Sequence, residues 1–165
     1  MNEGSVSIQT ASTRDVSEVA RLFNAYRNFY GELPDESRAQ AFIRDRITLA
    51  CAQPAGQFSV AQYFLAWRQT PEGRKAMGFM HLMPSTNTLA MRPIWFLEDL
   101  YVDPSARRQG IATAFLRHAE HFARSTGAER LTLATAHDNA AAQSVYRKLG
   151  YVREEHLWTF HRLLP

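Results

Sequence analysis

Residues 95–119, WFLEDLYVDPSARRQGIATAFLRHA, constrain the fold more than any other stretch, because they force a strand, a tight turn and a helix into immediate succession. Ile94-Trp95-Phe96-Leu97 and Leu100-Tyr101-Val102 are aromatic and branched, which suits a buried strand. Asp103-Pro104 ends it, since proline has no N–H for a ladder. Beyond Gln109-Gly110, the apolar residues Ile111, Phe115, Ala119 and Phe122 recur at helical spacing and form one face.

The turn between strand and helix, Arg107-Arg108-Gln109-Gly110-Ile111-Ala112, carries the chemistry. A helix start leaves several backbone N–H groups without partners, and the macrodipole adds positive character there. Gly110 has no side chain, so a ligand can approach the backbone closely. Small Ala112 keeps the next position open, and Arg107 and Arg108 add positive charge. Together these features make a cradle for a diphosphate. The plainer alternative is an ordinary helix start with a solvated basic pair.

Arg107-x-x-Gly110-x-Ala112 after a Val-Asp-Pro turn resembles the acetyl-CoA-binding motif of the GNAT superfamily of N-acetyltransferases. The second half of that signature follows downstream as Asn139-x-x-Ala142-x-x-x-Tyr146-x-Lys148-x-Gly150-Tyr151. The resemblance implies one GNAT domain over residues 1–165. It also implies an α/β fold: a mixed central sheet in the order β-αα-βββ-α-β-α-ββ, with the parallel fourth and fifth strands splayed around the cofactor. Arg107, Arg108, Gln109, Gly110, Ile111, Ala112 and Thr113 then hold the diphosphate of acetyl-CoA, the co-substrate. The backbone of Leu100, Tyr101 and Val102 pairs with the amide-rich pantetheine arm. Asn139 and Ala142 contact the same arm, with helix N-capping the alternative for Asn139. By the same resemblance Tyr146 points its hydroxyl at the sulfur and serves as the acid, its phenol being protonated at neutral pH. Otherwise it is a core aromatic with a satisfied hydroxyl.

Along the rest of the chain, Val6-Ser7-Ile8 is a short strand, and Ser12 or Thr13 caps a helix with Asp15 closing a capping box. Val16, Val19, Ala20, Phe23, Tyr26 and Tyr30 form its apolar stripe, which runs to about Phe29. A second helix starts near Asp35 to Ser37, with Ala39, Ile43, Ile47 and Ala50 inward, and Cys51 to Gln57 is a loop. Strands near Val60–Trp67 and Ala76–Met83 flank a hairpin turn, and Pro84–Pro93 reads as a polar loop. Arg130–Thr135 is a buried strand, Asn139–Leu149 a helix ended by Gly150, and Tyr151–Val152 and Leu157–Leu163 two closing strands.

Glu98 and Asp99 interrupt a strongly apolar strand. Successive strand residues point to opposite faces, so the two acids share one site only if the strand bulges. They form either a structural ion pair with an arginine such as Arg92, or a base and a contact for a cationic amine. The run Leu97-Glu98-Asp99-Leu100-Tyr101-Val102 is similar to that of the diamine acetyltransferase branch, which implies Glu98 as base and Asp99 as substrate contact. Tyr26, Tyr30, Glu32 and Trp95 are candidates for an aromatic and acidic acceptor pocket. His137 is an alternative proton carrier, and His81 reads as structural.

The expected activity is acetyl transfer to a primary amine by direct attack in a ternary complex. The acceptor is a polyamine, another small amine or an amino acid, or else a protein amine. A non-catalytic acyl-CoA-binding domain is the alternative, and a homodimer is expected by resemblance. The formal charge of +3 is spread out, which does not call for nucleic acid. Neither a P-loop nor a G-x-G-x-x-G fingerprint occurs. Cys51 is the only cysteine, which excludes an internal disulfide and a cysteine-based zinc site and fits a cytoplasmic setting. No metal is expected. No signal-like segment opens the sequence and no apolar run is long enough for a membrane span.

Overall fold

The computed structural model describes residues 6–53, 60–157 and 159–164. By internal contacts the chain divides into two units, residues 1–134 and 135–165.

In the first unit, Ser12 and Asp15 close the expected capping box around a short 3₁₀ turn, Thr13–Asp15. Helix α1 (Val16–Phe29) follows, and Gly31 at φ +88° turns the chain out of it. Asp35 caps α2 (Glu36–Cys51) by accepting from the Arg38 N–H. Five strands form one sheet in sequence order: β1 (Val6–Thr10), β2 (Gln62–Thr70), β3 (Gly73–Asn87), β4 (Arg92–Val102) and β5 (Arg130–Leu133). All neighbours are antiparallel except β4 and β5, which are parallel. Helix α3 (Ile111–Ser125) makes the crossover between them.

β2 is apolar on both faces because both are covered. Tyr63, Leu65 and Trp67 join Val19, Leu22, Ile43 and Ile47 of α1 and α2 in one cluster. Phe64 points the other way and meets His118 and Phe122 of α3. Gly78 of β3 lies where β3, β4 and α3 crowd together. A Cβ there would stand 2.5 Å from the Tyr101 carbonyl oxygen and 3.2 Å from the Phe115 ring.

His118 is half-buried on Phe64, and burial, then the charge of His121, lowers its pKa below the usual 6.5. The unfolded chain therefore binds this proton more readily than the folded one. The stabilising contribution is present above about pH 6.5 and is lost as pH falls below it. His118→Gln should flatten this dependence, measured as urea midpoints at about pH 7.5 and about pH 5.5. Equal losses in variant and parent would exclude His118 as the source.

Three expectations change. Pro84–Pro93 is mostly strand: β3 runs on to Asn87, and Thr86 pairs with Pro93. Among the described residues β2 pairs with β3 only to Leu82, so Pro84 can turn its missing N–H to an unpaired edge. β5 stops at Leu133, short of Thr135, and is half-exposed rather than buried. The two closing strands are not formed in residues 151–157 and 159–164, where Val152, Leu157, Phe160 and Leu163 are exposed. Arg153-Glu154-Glu155-His156 breaks the apolar alternation there. The expected loop beyond Gln53 and the Trp158 position of the last strand lie outside the described residues.

In the second unit, α4 (Ala140–Lys148) starts at Asn139, whose side chain accepts from the Ala142 N–H at 3.2 Å. Gly150 at φ +84° ends the helix, with Gly150 N donating to Arg147 O and Tyr151 N to Tyr146 O.

Candidate active site

The register of β3 and β4 slips at one point. His81 pairs with Asp99 and Leu82 with Leu97, so Glu98 is the extra residue of a β-bulge. Before the bulge, Phe96 and Glu98 face α1 and α2, while Trp95 faces α3. After it the phase shifts, and Asp99 and Tyr101 face α1 and α2 as well. Both acids thus reach one cleft of about 510 Å³, walled opposite by Phe23 of α1 and by Phe42 and Arg46 of α2.

The two carboxylates sit in different settings. Asp99 is partly buried, and His81 Nδ1 donates to its Oδ2 at 2.9 Å. Burial, then the nearby Asp99 carboxylate, raises the Tyr26 pKa above the usual tyrosine range. Tyr63 stacks on His81 with ring centroids 4.2 Å apart and planes at 8°. Its phenol is likewise pushed up, first by burial. The Tyr63 hydroxyl and His81 Nε2 are buried without a hydrogen-bond partner among the described residues. Glu98 is exposed to the cleft and has no ion-pair partner among the described residues. The alternative reading of the pair, an ion pair with an arginine such as Arg92, is not formed: the bulge sets Asp99 opposite His81, while Arg92 stands opposite Asn87.

The bulge also marks where the parallel pair parts. β5 pairs with Ile94 to Leu97 only, whereas β3 follows β4 to Val102. Leu100, Tyr101 and Val102 therefore have one edge without a strand partner among the described residues.

Asp103 caps the turn that follows, accepting from Ser105 N and Oγ at 3.0 and 2.6 Å, and these bonds hold its carboxyl below the usual range. Arg107 folds back, donating from Nε to the Val102 carbonyl and lying over the Tyr101 and Phe29 rings. Gln109 is braced by Arg68 at 2.6 Å and by the Ser105 carbonyl. Gly110 at φ +80° is the N-cap of α3, and the Ala114 N–H bonds back to its carbonyl. The N–H groups of Ile111, Ala112 and Thr113 then have no intrahelical acceptor. A Cβ on Gly110 would meet nothing within 4 Å, so the space before these donors is open.

Of the expected acceptor-pocket residues, Tyr26 and Tyr30 stack edge to face, and Tyr26 joins Asp99. Glu32 is exposed beside Arg27 at 3.6 Å. Trp95 is fully buried, packs at a tilt of 58° against Phe122 and donates from Nε1 to Thr126 Oγ1, so it is not open to an acceptor. Packing of α3 on β4 decides this, and nothing in the local run signals it. Phe23, Phe42, Phe96 and Arg46 were not among the site residues expected from the sequence; α1, α2 and β4 bring them to the cleft. His81 opposite two consecutive acids was the one readable hint. In the second unit Tyr146 is half-buried on α4, its ring 5.8 Å from that of Tyr151, and His137 is exposed. No group of three or more His, Cys, Asp or Glu residues placed to hold a metal occurs among the described residues. No described helix is long and apolar enough to cross a membrane.

The model of the Acetyltransferase (GNAT) family matches residues 19–151. The chain is 33% identical over 151 residues to the uncharacterized N-acetyltransferase YhfO of Bacillus subtilis (strain 168), covering 88% of this chain and 89% of that one. A crystal structure of a "probable acetyltransferase" superposes with a TM-score of 0.83 at 30% identity, covering 96% and 98% of the two chains. AAC(6')-Iy in complex with the bisubstrate analog CoA-S-monomethyl-acetylneamine superposes with a TM-score of 0.72 at 18% identity, over 97% and 99%.

Proposed function

Because this chain belongs to the GNAT family of acetyltransferases, we propose that it moves the acetyl group of acetyl-CoA directly onto the primary amine of a small molecule, within one ternary complex. The observation that carries this reading is the Glu98 bulge, which turns two carboxylates into one cleft beside an open strand edge.

Acetyl-CoA supplies a thioester carbonyl activated toward nitrogen. The free N–H groups at Ile111, Ala112 and Thr113, with Arg108, bind the diphosphate. The open edge at Leu100, Tyr101 and Val102 pairs with pantetheine, as do Asn139 and Ala142. A backbone N–H of Tyr101 or Val102 stabilises charge developing on the carbonyl oxygen. Asp99 and Tyr30 orient the acceptor, and Glu98 removes the ammonium proton. The amine nitrogen then bonds to the carbonyl carbon, the C–S bond breaks, the Tyr146 phenol protonates the departing thiolate, and the nitrogen's second proton passes to the phenolate, restoring it, while Glu98 releases its proton to solvent. Residues 1–165 act as one domain, a reading supported by the family match across the boundary between the two units. A homodimer in the cytoplasm completes the proposal, and the exposed Leu157, Phe160 and Leu163 support an interface.

Thiol release from acetyl-CoA across polyamines, aminoglycosides, amino acids and peptides tests the reading. Turnover is expected with at least one small amine. Tight acetyl-CoA binding with no turnover on the whole panel would favour a non-catalytic binding domain. Tyr146→Phe should lower kcat only about tenfold, since a thiol of pKa near 8.5 leaves without much help. Its acetyl-CoA Kd should be unchanged by calorimetry, and an unchanged kcat would remove the acid role.

A further inference from the structure

The cleft is charged at both ends. Glu98 and Asp99 occupy the β4 wall, and Arg46 stands on the α2 wall. Arg46 packs its guanidinium over the Phe42 ring at 3.3 Å and donates to the Phe42 carbonyl of its own helix. It has no carboxylate partner among the described residues, although two carboxylates line the same cleft. Arg46, Glu98 and Asp99 all line this one cleft of about 510 Å³, so a single small molecule can meet both ends. An acceptor that is purely cationic would gain at the acids and be repelled at Arg46.

A buried polar group marks the amine end. His81 lines the cleft, is 7% exposed, and gives its Nδ1 hydrogen to Asp99. Its Nε2 is buried and has no hydrogen-bond partner among the described residues. Phe23, Phe42 and Phe96 line the space between the ends with apolar surface.

We infer that the acceptor is an amino-carboxylate: its amine lies at Glu98 and Asp99, its carboxylate at the Arg46 guanidinium, and an apolar body spans the phenyl-lined middle. This rests on the acetyltransferase reading and narrows its acceptor. It separates the chain from acetyltransferases of polycations, because the Arg46 end rejects a second ammonium group.

The test compares acceptors that differ only in the carboxylate. L-Phenylalanine is set against L-phenylalaninamide and phenethylamine, and ε-aminocaproate against hexylamine, in the thiol-release assay. The carboxylate-bearing member of at least one set should be favoured by about tenfold or more in kcat/KM, the scale of one charge-assisted hydrogen bond. Arg46→Met should abolish that preference by raising the KM of the carboxylate-bearing member relative to its carboxylate-free partner, and Arg46→Lys should partly restore it. The ratio within a pair is insensitive to partial unfolding, so a weakened variant still reports. Equal or better turnover of the carboxylate-free members, or a preference unmoved in Arg46→Met, overturns the inference and leaves the acetyltransferase reading standing. No turnover of any amine by acetyl-CoA-bound protein overturns both.

Discussion

Replacing Glu98 by Gln is expected to lower kcat by about 10²- to 10³-fold at neutral pH, with acetyl-CoA affinity unchanged. An alkyl ammonium of pKa near 10.4 is neutral in only about one molecule in 2,500 at pH 7. A base that takes the proton in the complex removes most of that penalty, and its loss restores it. The profile carries a second signature. In Glu98→Gln the rate should climb about tenfold per pH unit toward pH 10, as free amine replaces ammonium, while the parent levels off earlier. Initial rates at saturating acceptor across that range decide the point. A variant with the parent rate and profile would leave Glu98 as a mere lining residue. Asp99 offers no substitute at that position, since its carboxylate is already engaged by His81 Nδ1.

The second large effect is structural. Gly78→Ala should destabilise the protein by about 3 kcal/mol or more. The added carbon would meet the Tyr101 carbonyl oxygen at 2.5 Å, the Phe115 ring at 3.2 Å and Val102 Cα at 3.3 Å. Two of these three are strand backbone, and Phe115 is fully buried, so none can swing aside. β3 and β4 must part instead. For a chain of this size the cost is a fall in Tm of roughly 6–12 °C. The edge that moves is Tyr101–Val102, so the KM for acetyl-CoA should rise as well. Gly31→Ala is the control: its left-handed φ of +88° is strained, but nothing lies within 4 Å, and the loss should be about 1 kcal/mol. A Gly78→Ala melting curve that overlays the parent would mean that the sheet yields easily there.

Local features were legible because their causes are local. The capping box at Ser12 and Asp15, the Asp35 cap, the Gly110 turn and the Gly150 stop each rest on residues within one helical turn. As consecutive strand residues, Glu98 and Asp99 can share one site only through a bulge. Whether the bulge forms depends on the register against β3, a strand about twenty residues away, and on the pairing of His81 with Asp99. The same long-range packing buried Trp95 under α3, drew Pro84 into a strand and set Arg46 across from the acids. Alternating patterns also overstated the tail, where Leu157, Phe160 and Leu163 have the composition of a strand without forming one in the described residues.

What the sequence determined by itself is the strand–turn–helix around Gly110 and the capped helices. Backbone sterics, caps and missing N–H groups act over a few residues, so they can be read in order along the chain. Only the tertiary structure decided which side chains share the acceptor cleft. A one-residue slip between β3 and β4 reverses the face of every side chain beyond it, and the balance of that slip is struck by packing against both layers of helices.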